Sequence, residues 1–263
     1  MKTLDWLANL RFRNPLLYRI GMVHFIIAVM LVVPWIVDPR QVLGISTWIK
    51  PIKFCLSIGI YAWTFGWILW DLHGRQRWIK GISWMIAVTM VIEISIIIFQ
   101  ASRATRSHFN EASDMDLLLF GIMGGMVAIN TIAIVISFGL FLFTKTKLDK
   151  AYLLALRLAF AVFLLGNWIG GVMISRGGHA VDAPEGGPGI FFFNWSTLGG
   201  DLRIGHFLGL HAIQVIPLIS YYCYKKTTLG VMPRYIVALL SVFLYGGLIT
   251  WLYLRASAGL ALF

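Results

Sequence analysis

Histidine and arginine side chains gather in two polar segments of an otherwise apolar chain. The segments cover residues 102–116 and 175–206. Imidazole groups bind zinc, iron, copper and haem, and they also transfer protons. Guanidinium groups bind carboxylates and phosphates through paired hydrogen bonds. These residue types predict a functional site assembled from the two segments.

Four histidines are candidate ligands for a metal or a haem. They are His108, His179, His206 and His211. The last two are five residues apart, which is about 140° around a helix, whereas helical metal sites favour a same-face pair four residues apart. Three interpretations therefore remain: a transition metal (zinc, iron or copper) or haem b, histidines that transfer protons, and hydrogen-bonded structural histidines.

Glu93 is the strongest single candidate, because it lies two-thirds of the way along the third apolar run. An ionised carboxylate at that depth is costly without a partner or water. Gln100 and Ser107 follow at seven-residue intervals, so a continuing helix would place all three on one stripe that ends beside His108. We assign Glu93, His108 and His211 as the catalytic residues. The alternative is a neutral Glu93 that hydrogen-bonds another helix.

Four arginines and one glutamine are the candidates for binding an anionic group. They are Gln100, Arg103, Arg106, Arg176 and Arg203. Asp201 is placed to cap the sixth apolar helix, whose positive end would face the same anion. A carboxylate, a phosphate, a lipid headgroup or a haem propionate would suit this set. The alternative is that the arginines reach lipid phosphates or pair with nearby acids.

The composition is that of an integral membrane protein, with 59% hydrophobic residues, 13% charged residues and a mean hydropathy of +0.81. Seven apolar runs are each near or above the roughly 20 residues that cross a bilayer as a helix. They cover residues 16–37, 54–72, 78–100, 117–143, 151–175, 204–224 and 235–254. The runs are continuous and do not alternate, which favours helices over a barrel. We expect an all-α bundle of seven transmembrane helices in a single domain, 16–254.

Basic residues predict the orientation, since cytoplasmic connections carry an excess of lysine and arginine. One side of the membrane holds 13 of them and the other holds 8. The N-terminus should be cytoplasmic and the C-terminus periplasmic or extracellular, so that both polar segments lie outside a bacterial inner membrane. The net charge of +11 then serves anionic headgroups, and no nucleic acid is expected as a partner.

Two segments lie outside the predicted helices and have distinct character. Residues 1–15 form a basic segment suited to the membrane interface. The connection 176–203 is long, rich in glycine and aromatic at its centre. Such a connection is either a lid over a site or an anchor in the interface.

The sequence predicts a membrane enzyme, an oxidoreductase or a hydrolase, with a metal- or haem-assisted site near the outer face. Its substrate would be lipophilic or anionic-headed, such as a lipid or a quinone, and membrane lipids would be its partners. One alternative is a proton-coupled transporter or channel that uses Glu93. Another is a ligand-binding sensor without catalysis. The oligomeric state does not follow from the sequence.

Overall fold

The computed structural model describes residues 3–226 and 228–263. Residues 1 and 2, which belong to the predicted interfacial segment 1–15, lie outside the described residues. Within the described ranges, seven helical segments are long and apolar enough to cross a membrane. The prediction of an all-α, multi-pass membrane protein with seven spans is therefore confirmed. The orientation and the bacterial inner membrane remain predictions.

The secondary structure of the described residues consists of α-helices of 6 to 30 residues, a 3-10 helix at Leu69–Asp71 and four strands of two residues each. The helices are α1 (Thr3–Arg13), α2 (Pro15–Met30), α3 (Val32–Val37), α4 (Ile49–Ile68), α5 (Gln76–Ser102), α6 (Asp114–Phe143), α7 (Lys150–Arg176), α8 (Leu202–Lys226) and α9 (Val231–Ser257). The strands are β1 (Gln41–Val42), β2 (Ile45–Ser46), β3 (Ala180–Val181) and β4 (Gly200–Asp201). β1 pairs with β2, and β3 pairs with β4, both antiparallel.

Contacts within the chain define two compact units, Met1–Thr146 and Lys147–Phe263. The first contains α1 to α6 with the first strand pair. The second contains α7 to α9 with the second strand pair. The single domain predicted for 16–254 remains a prediction.

The start of α4 differs from the predicted span, 54–72. The helix begins at Ile49, five residues earlier, and includes Pro51 in its first turn. Proline is tolerated there because the first amide groups of a helix have no intrahelical acceptor. Lys50 and Lys53 therefore belong to the helix and not to the connection before it.

In the first unit, α2 packs against α4 and α5 through small and apolar side chains. Gly21 on α2 lies directly under the ring of Trp63 on α4, where a Cβ atom would lie 2.2 Å from the indole. At the beginning of α2, Asn14 accepts from the backbone N–H of Leu17 and donates from Nδ2 to Ser83 on α5. The N-terminal cap thus also joins α2 to α5.

In the second unit, α7 and α8 approach closely at glycines. A Cβ atom on Gly166 would lie 2.7 Å from the backbone of Gly209, and one on Gly170 would lie 2.8 Å from the ring of His206. Small residues permit such contact between membrane helices. His206 donates from Nδ1 to the carbonyl oxygen of Gly166 at 2.8 Å, which fixes the ring in this contact.

Two helix starts show how polar residues cap the spans. Ser113 caps α6: its Oγ accepts from the backbone N–H of Asp116 at 3.2 Å and donates to the carboxylate of Asp116 at 2.7 Å. Asp149 caps α7 by accepting from the backbone N–H groups of Ala151 and Tyr152 in the first turn, and Arg234 lies 3.3 Å from its carboxylate. Thr146 takes no part, since its hydroxyl has no hydrogen-bond partner among the described residues.

Candidate functional site

Glu93 and His108 form a buried acid–histidine pair in the first unit. Glu93 is 4% exposed, and its Oε1 lies 3.5 Å from Nε2 of His108. Its second oxygen, Oε2, is buried and accepts no hydrogen bond from any described residue. A carboxylate with one partner and one bare oxygen inside a membrane span is poorly stabilised when ionised. The pair is therefore suited to binding and releasing a proton.

A chain reversal after α5 brings His108 to Glu93. The helix ends at Ser102, and Ala104 has a φ of 53°, in the left-handed region. A stripe through Ser107 requires the helix to continue past its predicted end at Gln100, and it does not, because the left-handed residue turns the chain back. The expected neighbourhood of Glu93 and His108 is nevertheless present, by a different path.

The other ring nitrogen of His108 faces two polar groups. Nδ1 lies 3.1 Å from Oγ of Ser107 and 3.2 Å from Nζ of Lys50, in the first turn of α4. The rings of Phe54 and Phe120 lie about the imidazole, with centroids 5.6 Å and 6.4 Å away. The lysine charge also attracts the carboxylate of Glu93. His108 thus lies between a cation and an acid in a partly apolar setting.

Gln100 and Arg103, two predicted anion ligands, contact a protein carboxylate. Gln100 is fully buried and donates from Nε2 to Oδ1 of Asp116 at 2.7 Å. Arg103 donates to Oε1 of Gln100 at 2.7 Å and to Oδ1 of Asp116 at 2.9 Å. This cluster joins the end of α5 to the start of α6. Arg106 is half-buried in the connection between them, and binding of an external anion by these residues remains a prediction.

In the second unit, His179 lies between two carboxylates. Its Nε2 is 2.7 Å from Oε2 of Glu185, and its Nδ1 is 3.7 Å from Oδ1 of Asp201. The other oxygen of Glu185 accepts from the backbone N–H groups of His179 and Ala180. Burial alone would raise the pKa of Glu185, but the hydrogen bonds from His179 and Ala180 and the histidine charge lower it to about 2.

The two arginines predicted in this unit have different surroundings. Arg203 donates to the carboxylate of Asp201 at 2.6 Å and also to the carbonyl oxygen of Asn194. Asp201 accepts the backbone N–H of Arg203 as well, so its predicted role as the cap of α8 is confirmed. Arg176 ends α7 and is exposed. The hydrogen bonds of Arg203 and Glu185 hold the connection 176–203 in a defined conformation.

The last two predicted histidines lie on α8. His206 contacts the α7 backbone at Gly166, as described above. His211 is half-buried, and its ring centroid lies 4.5 Å from that of Phe207. Each histidine therefore has a packing partner of its own. The catalytic assignment of His211 remains a prediction.

Among the residues that the structure describes, the four candidate histidines do not form a metal site with other side chains. In residues 3–226 and 228–263, no group of three or more histidine, cysteine, aspartate or glutamate side chains is arranged to hold a metal ion. Zinc sites in proteins commonly need at least three such ligands. The expectation of zinc, iron, copper or haem b at His108, His179, His206 and His211 remains a prediction.

Two residues of the first unit were not among the predicted site residues. Lys50 lies before the predicted span, 54–72, but belongs to the first turn of α4, where proline is tolerated. His24, on α2, is 1% exposed, and its position in the sequence predicted a packed polar residue. Its signal was present as an ionisable residue inside an apolar run, the same signal that identified Glu93.

The arrangement in the first unit places the imidazole of His108 between Lys50 and the buried carboxylate of Glu93. The described residues establish a polytopic helical membrane protein. No protein-family model, curated protein or solved structure matches the chain.

Proposed function

We propose that the chain moves protons through Glu93, as a proton-coupled transporter or channel. One observation carries this proposal: the buried Glu93 carboxylate has His108 at 3.5 Å on one oxygen and no hydrogen-bond partner among the described residues on the other. Intramembrane carboxylates in such surroundings are typical of proton relays in pumps and transporters.

The two ring nitrogens of His108 face different groups, so a proton can arrive at one nitrogen and leave from the other. A proton that arrives at Nδ1, from the side of Lys50 and Ser107, converts the ring to imidazolium. The hydrogen on Nε2 then passes to Glu93, and the ring returns to its neutral form. Between transfers, the positive charge of Lys50 attracts the ionised carboxylate of Glu93 towards His108. On the predicted orientation, protons enter from the outer face.

The experiment is a proton-flux measurement on purified protein in liposomes that contain a fluorescent pH dye. Valinomycin and potassium remove the membrane potential, and an acid pulse is applied outside. We expect Glu93→Gln to reduce proton entry by at least about tenfold, because the amide cannot take a proton. Glu111→Gln, the same change at an exposed position in the next connection, should keep the wild-type rate.

The proposal fails if wild-type liposomes take up protons no faster than empty ones. It also fails if Glu93→Gln matches the wild type. Infrared spectra of the same samples supply a second readout: the carbonyl band of a protonated carboxyl group should appear on acidification and be missing in Glu93→Gln.

The membrane enzyme predicted from the sequence is a second candidate, favoured by one contact. Oγ of Ser107 lies 3.1 Å from Nδ1 of His108, whose Nε2 faces Glu93. A hydroxyl, a base and a carboxylate in this order can activate a nucleophile for acyl transfer from a lipid ester. A fluorophosphonate probe tests it: labelling should disappear in Ser107→Ala and decline in His108→Gln. No labelling of the wild type would contradict this candidate.

A further inference from the structure

His24 is a second buried titratable group in the first unit. Its Nδ1 lies 2.7 Å from the carbonyl oxygen of Ile20, one turn back on α2. A carbonyl oxygen only accepts, so Nδ1 carries the hydrogen, and Nε2 of the neutral ring has a lone pair. Nε2 is buried and has no hydrogen-bond partner within the described part of the chain. His24 forms no ion pair with any described residue, so no charge holds it in one state.

A backbone carbonyl group of α5 can act as an acceptor for the protonated ring. The carbonyl of Met90, on α5, faces the His24 ring in addition to that of Ile20. A ring that is protonated on both nitrogens has two N–H donors, and a carbonyl oxygen is an acceptor for such a donor. A charged ring remains costly inside a membrane, so the proton can leave again.

His24 lies at the contact between α2 and α5, beside Met90. Met90 precedes Glu93 by three residues, which is about 4.5 Å along the helix axis. The histidine is therefore about one turn further from the C-terminus of α5 than Glu93. Further along the same contact, Asn14 donates to Ser83 at 2.8 Å, and both side chains are buried. Polar groups thus recur along a contact that is otherwise apolar.

We infer that His24 is the proton acceptor that follows Glu93. The carboxyl group of Glu93 releases its proton and becomes a carboxylate again, while Nε2 of His24 binds the proton and the ring becomes imidazolium. The ring then releases it towards Asn14 and Ser83, with water bridging the gaps. This inference rests on the proposed function, because the proton that reaches His24 comes from Glu93.

The flux assay described above tests it with His24→Gln, which keeps a polar side chain and removes the titratable ring. We expect proton entry to decrease by at least about tenfold. The infrared band of protonated Glu93 should still appear on acidification, because the outer part of the route is intact. His73→Gln, the same substitution at an exposed histidine after α4, should keep the wild-type rate.

The outcomes separate the two proposals. Wild-type flux in His24→Gln together with lost flux in Glu93→Gln would overturn the inference and leave the proposed function standing. Unchanged flux in Glu93→Gln would overturn both. If His24→Gln fails to fold, nitrogen-15 NMR of histidine-labelled wild type in lipid decides: the His24 ring should become doubly protonated between about pH 8 and about pH 4. A ring that stays neutral over this range would overturn the inference.

Discussion

The carboxylate of Glu93 and the imidazole of His108 lie 3.5 Å apart, although α5 ends between them. The pair exists because Ala104 adopts a left-handed conformation and turns the chain back over the helix end. A non-glycine residue in this region costs about 1–2 kcal/mol. The position of His108 therefore depends on a locally unfavourable backbone that the neighbouring contacts maintain.

Replacing Ala104 tests this dependence. Ala104→Gly should raise the free energy of unfolding by up to about 1 kcal/mol, because glycine adopts the left-handed region without steric cost. Ala104→Val should lower the free energy of unfolding by more than about 1 kcal/mol, since a β-branched side chain has a higher steric cost in the left-handed region. Ala101→Gly, inside the last turn of α5, should be destabilising. Thermal unfolding in detergent measures all three, and a loss in Ala104→Gly would contradict the argument.

The glycine contact between α7 and α8 predicts a stability difference between neighbouring positions. Gly166→Ala should destabilise the protein by about 1–3 kcal/mol, because the new Cβ atom would lie 2.7 Å from the backbone of Gly209. Gly171→Ala is the matched control, since nothing lies within 4 Å of a Cβ atom there. It should be neutral or stabilising by up to about 1 kcal/mol. Equal melting temperatures for the two variants would refute the close contact.

The cap of α7 predicts that alanine substitution destabilises the protein at Asp149 but not at Thr146, three positions earlier. Asp149→Ala should cost about 1–2 kcal/mol, because two backbone N–H groups lose their acceptor. Thr146→Ala should cost almost nothing, since the hydroxyl has no hydrogen-bond partner among the described residues. Denaturant unfolding of both variants measures the difference. A larger loss for Thr146→Ala than for Asp149→Ala would contradict the assignment of Asp149 as the cap.

The lowered pKa of Glu185 predicts that the connection 176–203 becomes less ordered at low pH. Its folded pKa of about 2 is below the ordinary value of 4.5, so its stabilisation is fully present above about pH 4.5 and is lost as the pH decreases towards 2. Hydrogen-exchange mass spectrometry should show reduced protection at His179 and Ala180 over this range. Glu185→Gln should show that reduced protection already at neutral pH, whereas Glu111→Gln should not. Full protection in Glu185→Gln would be inconsistent with this role.

The predicted orientation can be checked with two single cysteines. Glu111→Cys, in the connection after α5, should react with a membrane-impermeant maleimide added to intact cells. Lys147→Cys, in the connection before α7, should react only after the membrane is opened. Cys55 is buried and Cys223 is half-buried, so both are replaced in the background chain. The reverse labelling pattern would invert the orientation and move the Glu93 site to the cytoplasmic side.

Much of the fold followed from hydropathy, because a bilayer demands long apolar helices whatever their packing. The intramembrane carboxylate at Glu93 was visible for the same reason. The reversal at Ala104 was not, since alanine gives no sign of a left-handed conformation. The start of α4 at Ile49 was not predicted, because the span 54–72 was defined by hydropathy, whereas the helix includes Lys50 and Lys53 and accommodates Pro51 in its first turn.

The arginines illustrate a second limit of sequence patterns. Arg103 and Arg203 were grouped as one anion site because both border the polar segments. In the structure each has its own carboxylate, Asp116 and Asp201, within its own unit. Which acid pairs with which arginine depends on turns of a few residues, and composition carries no information about these.

The connection between α5 and α6 is fastened at both ends, at the left-handed Ala104 and at the Ser113 cap. The number of residues in this connection therefore determines where His108 lies. Adding or removing one residue would move its imidazole by several ångströms. Epitope tags and reporter fusions belong elsewhere, in the exposed stretch around Lys145 and Lys147. Natural variants of this chain should differ in length there far more readily than between Ala104 and Ser113.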